Sequence, residues 1–263
     1  MARRSTDRPS SWWRSILDLC WFMPRPTDRP ETRRRGGPDQ GVGTGDVGEA
    51  PGRWGLAMAV VYLTGLALSL PVRWGPVDRI DERLTTAVVG WVGRHRIVRE
   101  TALVVTNLGA PVLLALVVAI GAGLLWRRGD LNGARTLLLC GVLGAVVETA
   151  LKLTVARARP DLDSLVTARG TSFPSGHAMN SMIVWVSTMW LLARPAHSAG
   201  RPAARVRSWS PGPVIAGAAT LAVLVGSSRV ALGAHHPGDV AAGWLLAGMW
   251  LLLLRRLVVE PGR

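Results

Sequence analysis

Six apolar runs constrain this chain more than anything else in it: roughly 54–72, 107–126, 136–155, 178–193, 213–228 and 240–254. Each approaches the length, about 17–25 residues, that an α-helix needs to cross the hydrocarbon of a bilayer. No water inside the bilayer satisfies backbone N–H and C=O groups, and a helix satisfies them within its own segment. The expected fold is therefore all-α, an integral membrane six-helix bundle over 54–258. Composition agrees: Gly (30) suits close helix packing in lipid, and Trp (12) suits the membrane interface, while Phe (2) and Tyr (1) are scarce.

Residues 1–53 are rich in Arg, Pro, Gly and Asp and are expected to form a mostly disordered basic tail. Within it, Trp12, Trp13, Ile16, Leu17, Cys20 and Trp21 fall at helical spacing. The stretch 11–24 reads either as a short helix lying on the membrane or as loosely structured chain. It does not read as a cleaved signal peptide, because Arg14 and Asp18 interrupt the apolar run. Between the first two runs, 73–100 is polar but carries Leu84, Val88, Trp91 and Val92 as a stripe, which predicts an amphipathic helix on the outer membrane face. Cys20 and Cys140 are far apart in unlike contexts and suggest neither a disulfide framework nor a metal site.

The formal charge of +14 first suggests nucleic acid. Topology explains it better. With the N-terminus placed inside, the segments 1–53, 127–135, 194–211 and 255–263 hold 20 of the 31 cationic residues. The positive-inside rule then puts both termini in the cytoplasm and the opposite helix ends on the extracytoplasmic face.

Three polar clusters interrupt the spans, all at those outer ends. Lys152, the sole lysine, and Arg159-Pro160 end the third span, with seven residues or about two helical turns between the cations. Pro174-Ser175-Gly176-His177 precedes the fourth, with Pro174 suited to the first turn of that helix. Ser228-Arg229, His235 and Asp239 lie between the fifth and sixth, where Pro237 suits a helix start and Asp239 can reach back to an imidazole. Each residue has an ordinary reading. Lys152 can snorkel or pair with Glu148 one turn away, Arg157, Arg159 and Arg169 can be loop charges, His236 a solvated neighbour, and Asp239 an acid favoured by a helix dipole. These readings leave the convergence unexplained, since ionisable groups at membrane depth point to function.

Lys152, Arg159 and Arg229, with a helix N-terminus bearing Ser175 and Gly176, suit a phosphate whose charge is spread over several oxygens. One histidine oriented by a carboxylate serves as a nucleophile, and a second protonates a leaving alkoxide. No cluster of Cys or carboxylates offers a metal site. The set points to phosphoryl transfer without metal or cofactor, through a phosphohistidine.

At these residues the chain resembles the type-2 phosphatidic acid phosphatase family, the superfamily of lipid phosphate phosphatases and vanadium haloperoxidases. Its motifs K-x6-R-P, P-S-G-H and S-R-x5-H-x3-D stand here as KLTVARARP (152–160), PSGH (174–177) and SRVALGAHHPGD (228–239). Ala158 departs from the proline that many members place there. The resemblance implies that His235 is the nucleophile, Asp239 its orienting acid and His177 the general acid. It also implies that Lys152, Arg159, Ser175, Gly176 and Arg229 cradle the phosphate. The expected partners are the membrane and a lipid phosphate: phosphatidic acid, phosphatidylglycerol phosphate, or a polyprenyl phosphate or diphosphate. Nucleic acid is not expected. Three other activities compete: transfer of the phosphoryl or phospho-alcohol group to a lipid or sugar acceptor, non-catalytic lipid-phosphate binding, and haloperoxidase chemistry. Intact histidines weigh against the second and the spans against the third.

Overall fold

The computed structural model describes residues 50–162, 164–194 and 212–259. The basic tail, its candidate helix at 11–24 and most of the 194–211 loop lie outside these residues. Among those described there are eight helices and no strand. They are α1 (Ala50–Arg73), α2 (Gly75–Arg94), α3 (Arg96–Asn107), α4 (Pro111–Arg127), α5 (Leu131–Val155), α6 (Gly176–Ala193), α7 (Gly212–Ala231) and α8 (Pro237–Val259).

By length and composition α1, α5, α7 and α8 can each cross a membrane, and α3 with α4 adds a fifth span if that pair, bent by 48°, is taken as one. The chain is a multi-pass membrane protein. Large apolar side chains such as Leu56, Leu63, Val112, Ile120 and Leu153 stand exposed on its outside, as lipid-facing residues must.

Two boundaries differ from the sequence expectation. The run beginning at 107 is broken at 108–110, and α4 starts at Pro111, which occupies the first turn where its missing N–H costs nothing. The single amphipathic helix expected over 73–100 is two helices, α2 and α3, separated at His95. Only part of the apolar stripe of α2 meets the bundle: Leu84 and Trp91 are 49% and 46% exposed, whereas Val92 is buried together with Asp81 and Thr85. The face of α2 that meets the protein is thus partly polar.

α6 is the central helix, packing against α4, α5, α7 and α8. Its buried residues fall all around it, from Met179 through Ile183, Val184 and Ser187 to Trp190 and Leu191, the pattern of a helix enclosed by others. Leu137, Leu151, Leu246, Trp250 and Leu254 fill the surrounding core. The start of α6 is pinned closely to α8. A Cβ on Gly243 would stand 2.9 Å from the Ser175 carbonyl, so this approach requires glycine. Ser175, Gly176 and His177 therefore sit where α6 packs closely on α8.

Candidate active site

Backbone and side-chain hydrogen bonds tie the three motif segments together. The Ser175 N–H donates to the Asp239 carbonyl at 3.0 Å, and the Ser172 N–H to the Arg157 carbonyl at 2.8 Å. The Thr171 hydroxyl donates to the Lys152 carbonyl at 3.1 Å. Buried backbone groups at helix ends need such partners.

Two local expectations change. α5 ends at Val155, and Ala156 turns the chain in the left-handed region (φ 50°), so Lys152 and Arg159 do not share a helical face. The loop brings Arg159 to the site instead. Pro174 is not in the first turn of α6: Ser175 is the N-cap and Gly176 the first helical residue. Pro237 does open α8.

Lys152, Arg159, Gly176, His177, Arg229 and His235 all line one cavity of about 540 Å³. Asp239 and Ser175 are fully buried behind them. The cavity continues between α4 and α5 along Leu114, Val118, Leu138 and Val142. Leu138 and Val142 are also exposed on the outer apolar surface, so the cavity joins the polar cluster to the lipid-facing side of the bundle.

Arg159 is held by its surroundings. Its Nε donates to the Gly170 carbonyl (3.0 Å), its Nη2 to the Arg169 carbonyl (2.9 Å) and its Nη1 to the Ala234 carbonyl (2.5 Å). The same Nη1 lies 3.2 Å from His235 Nε2. Guanidinium groups have no acceptor, so Nε2 accepts and carries the lone pair, and the ring proton belongs on Nδ1. Burial pushes the His235 imidazole down to about 4; Asp239 opposes this and the charge of Arg159 adds to it. Near neutral pH the ring is neutral, with a lone pair facing the cavity.

On its other side His235 Nδ1 is 3.8 Å from Asp239 Oδ2, beyond hydrogen-bond range. Ser172 stands between them: its hydroxyl donates to Asp239 Oδ2 in a short bond and lies 3.4 Å from His235 Nδ1. Asp239 Oδ2 also accepts the His236 N–H at 3.0 Å. Ser172 lies two residues before the P-S-G-H motif, and its type and position gave no signal in the sequence.

Arg229 donates through Nη1 to the Thr106 hydroxyl on α3 at 2.8 Å. Its Nε and the Ser175 hydroxyl are buried without a hydrogen-bond partner. Both are donors among the residues assigned to the phosphate, and unsatisfied buried donors are costly unless something accepts from them. Lys152 Nζ pairs with Glu148 Oε1 at 2.6 Å, and Glu148 Oε2 lies 3.4 Å from Asn180 Nδ2. Glu148 and Lys152 both line the cavity, so the pairing places a carboxylate beside the cationic cradle. His236 is not a solvated neighbour: it is buried, with Nδ1 3.5 Å from the Thr85 hydroxyl, and burial and then Arg157 lower its pKa. Arg157, read as a loop charge, is buried too and bonds to Asp239.

Among the described residues no group of three or more His, Cys, Asp or Glu is arranged to hold a metal ion. The arrangement offers three cations, two histidines and a helix N-terminus around one cavity, a set suited to an anionic ester.

Comparison with known proteins agrees. The sequence model of the PAP2 superfamily matches residues 133–263. The chain is similar to phosphatidylglycerophosphatase B of Bacillus subtilis (strain 168), with 33% identity over 196 residues, covering 74% of this chain and 91% of that one. The structure is similar to a crystal structure of a transmembrane PAP2 type phosphatidylglycerolphosphate phosphatase from Bacillus subtilis. There the TM-score is 0.66 at 31% identity, over 79% of this chain and 98% of the other. The chain belongs to the PAP2 superfamily.

Proposed function

We propose that this chain hydrolyses lipid phosphates in the membrane through a phosphohistidine on His235, without metal. The observation that carries the reading is the cavity, which joins a cationic, histidine-bearing end to an apolar arm reaching the lipid-facing surface. A molecule that fits it has a phosphate at one end and an acyl or prenyl chain at the other. The names of the similar Bacillus proteins favour phosphatidylglycerol phosphate within that class, beside phosphatidic acid and polyprenyl diphosphate.

In this mechanism Lys152, Arg159 and Arg229, with Ser175 and Gly176 at the α6 N-terminus, hold the phosphoryl oxygens and offset charge developing on them. His235 Nε2 attacks phosphorus, the P–O bond to the lipid alkoxide breaks, and His177 gives that oxygen a proton. His177, now neutral, takes a proton from water. The hydroxide attacks the phosphohistidine, releases inorganic phosphate and restores His235. Asp239 and Ser172 keep the His235 ring oriented and its proton on Nδ1.

The working unit spans 54–258 as six transmembrane segments, α1 and α4 to α8, with α2 and α3 lying across one end. Both termini are cytoplasmic and the site opens on the extracytoplasmic face. The charge distribution supports this, because Arg127, Arg128, Arg255 and Arg256 lie at the helix ends opposite the motifs.

The test is phosphate release by purified protein from a panel of lipid phosphates in chelator. Release from at least one member, undiminished by chelator, is expected. No release from any of them, or release restored by a divalent ion, would overturn the reading.

A further inference from the structure

Arg157 is a buried cation that does not line the cavity and so is not placed to hold substrate. Its side chain is 6% exposed and meets three carboxylates. Nη1 donates to Asp239 Oδ1 at 2.7 Å; Nη2 donates to Asp81 Oδ2 at 3.0 Å and to Asp78 Oδ1 at 2.5 Å. Asp78 and Asp81 belong to α2, outside all three motifs.

The contacts continue into α8. Asp81 Oδ1 accepts the Gly238 N–H at 2.9 Å, one residue before Asp239. A Cβ at 238 would stand 2.5 Å from Asp81 Oδ2, so the approach needs glycine there. One helix thus grips both the guanidinium that binds Asp239 and the backbone that carries it.

The two oxygens of Asp239 are assigned separately. Oδ1 belongs to Arg157; Oδ2 takes the Ser172 hydroxyl and the His236 N–H. Turning the carboxylate would break all three bonds and move Ser172, which separates Asp239 from His235 Nδ1. A buried carboxylate without its cation would also tend to protonate rather than remain charged. The guanidinium suits this place because its planar fork serves several acceptors in fixed directions, which an ammonium cannot.

We propose that Arg157, braced by Asp78 and Asp81 of α2, is a positioning residue for phosphoryl transfer: it keeps Asp239 charged and oriented so that Ser172 and His235 stay aligned. The proposal rests on the assignment of His235 and Asp239 given above.

Steady-state phosphate release from phosphatidic acid in detergent micelles tests it, with full-length wild type, Arg157→Gln, Arg157→Lys, Asp81→Asn and His235→Ala. Loss of a residue that orients a reacting group through another typically costs about 10–100-fold. Arg157→Gln should lower kcat by about that much with KM within about threefold, since substrate contacts remain. Arg157→Lys should recover part of the loss, as one ammonium can still reach Asp239. Asp81→Asn should lower kcat roughly tenfold, again at unchanged KM. A folded Arg157→Gln protein with wild-type kcat, or a change in KM alone, would overturn the proposal. If Arg157→Gln does not elute as folded protein, Asp81→Asn decides, and wild-type kcat there overturns it. Turnover by His235→Ala would instead overturn the nucleophile assignment, so the two failures are told apart.

Discussion

Arg159 Nη1 lies 3.2 Å from His235 Nε2. A donor with no lone pair fixes which histidine nitrogen is free to accept, and it is the one on the cavity side. Burial is the main cause that keeps this imidazole neutral, the charge of Arg159 adds to it, and the guanidinium N–H sets the lone pair on Nε2.

This relation predicts the acid side of the pH profile. His235 must be neutral to attack, and its folded pKa is pushed from 6.5 down to about 4. Attack by His235 should therefore persist as pH falls through 6.5 and fail only towards 4. Rapid-quench measurement of phosphoenzyme formation at saturating substrate should show an acid limb well below 6.5. A limb at 6.5 or above would mean that the ring is not held neutral by its surroundings.

Glu148 gives a second prediction. Its carboxylate occupies Lys152 at 2.6 Å within the cavity, so an incoming phosphate competes with it for the ammonium. Glu148→Gln should tighten inhibition by inorganic phosphate by roughly three- to tenfold, about 1 kcal/mol. Unchanged or weaker inhibition would show that Glu148 does not compete.

Sidedness is tested by labelling. With native Cys20 and Cys140 replaced by Ser and Ala, a Cys at Ser164, exposed in the loop between the first two motifs, should react with an impermeant thiol reagent in intact cells. One at Ser198, in the segment outside the described residues, should not. The reverse pattern would place the chemistry on the cytoplasmic side.

The bundle was legible because lipid leaves the backbone few options: five of the runs, all but 107–126, lie inside single helices. The motif residues were legible because ionisable side chains are conspicuous among apolar ones. Ser172, Thr106, Asp81 and Arg157 were not. A serine near a turn, a threonine in a polar helix and charges in a polar stretch have ordinary readings, and only tertiary folding brings them to Arg229 and Asp239. Which residues of α2 meet the bundle was not legible either. Periodicity located its apolar stripe, but the bundle took the face carrying Asp81 and Thr85, which offers bonds to Arg157 and the α8 N-terminus. Arg159 was assigned to the site through the K-x6-R-P spacing; the helix ends at Val155, and the loop after it brings Arg159 to the cavity.

The central claim is a covalent phosphate on His235. Purified protein mixed with a lipid carrying labelled phosphate, then quenched within milliseconds in alkali, should hold label that is stable to base, labile to acid and located on the peptide containing His235. The His235→Ala variant, folded as wild type by thermal unfolding, should hold none and should lose phosphate release by about 10⁴-fold or more. Label retained on that variant, or its turnover within about tenfold of wild type, would contradict the account.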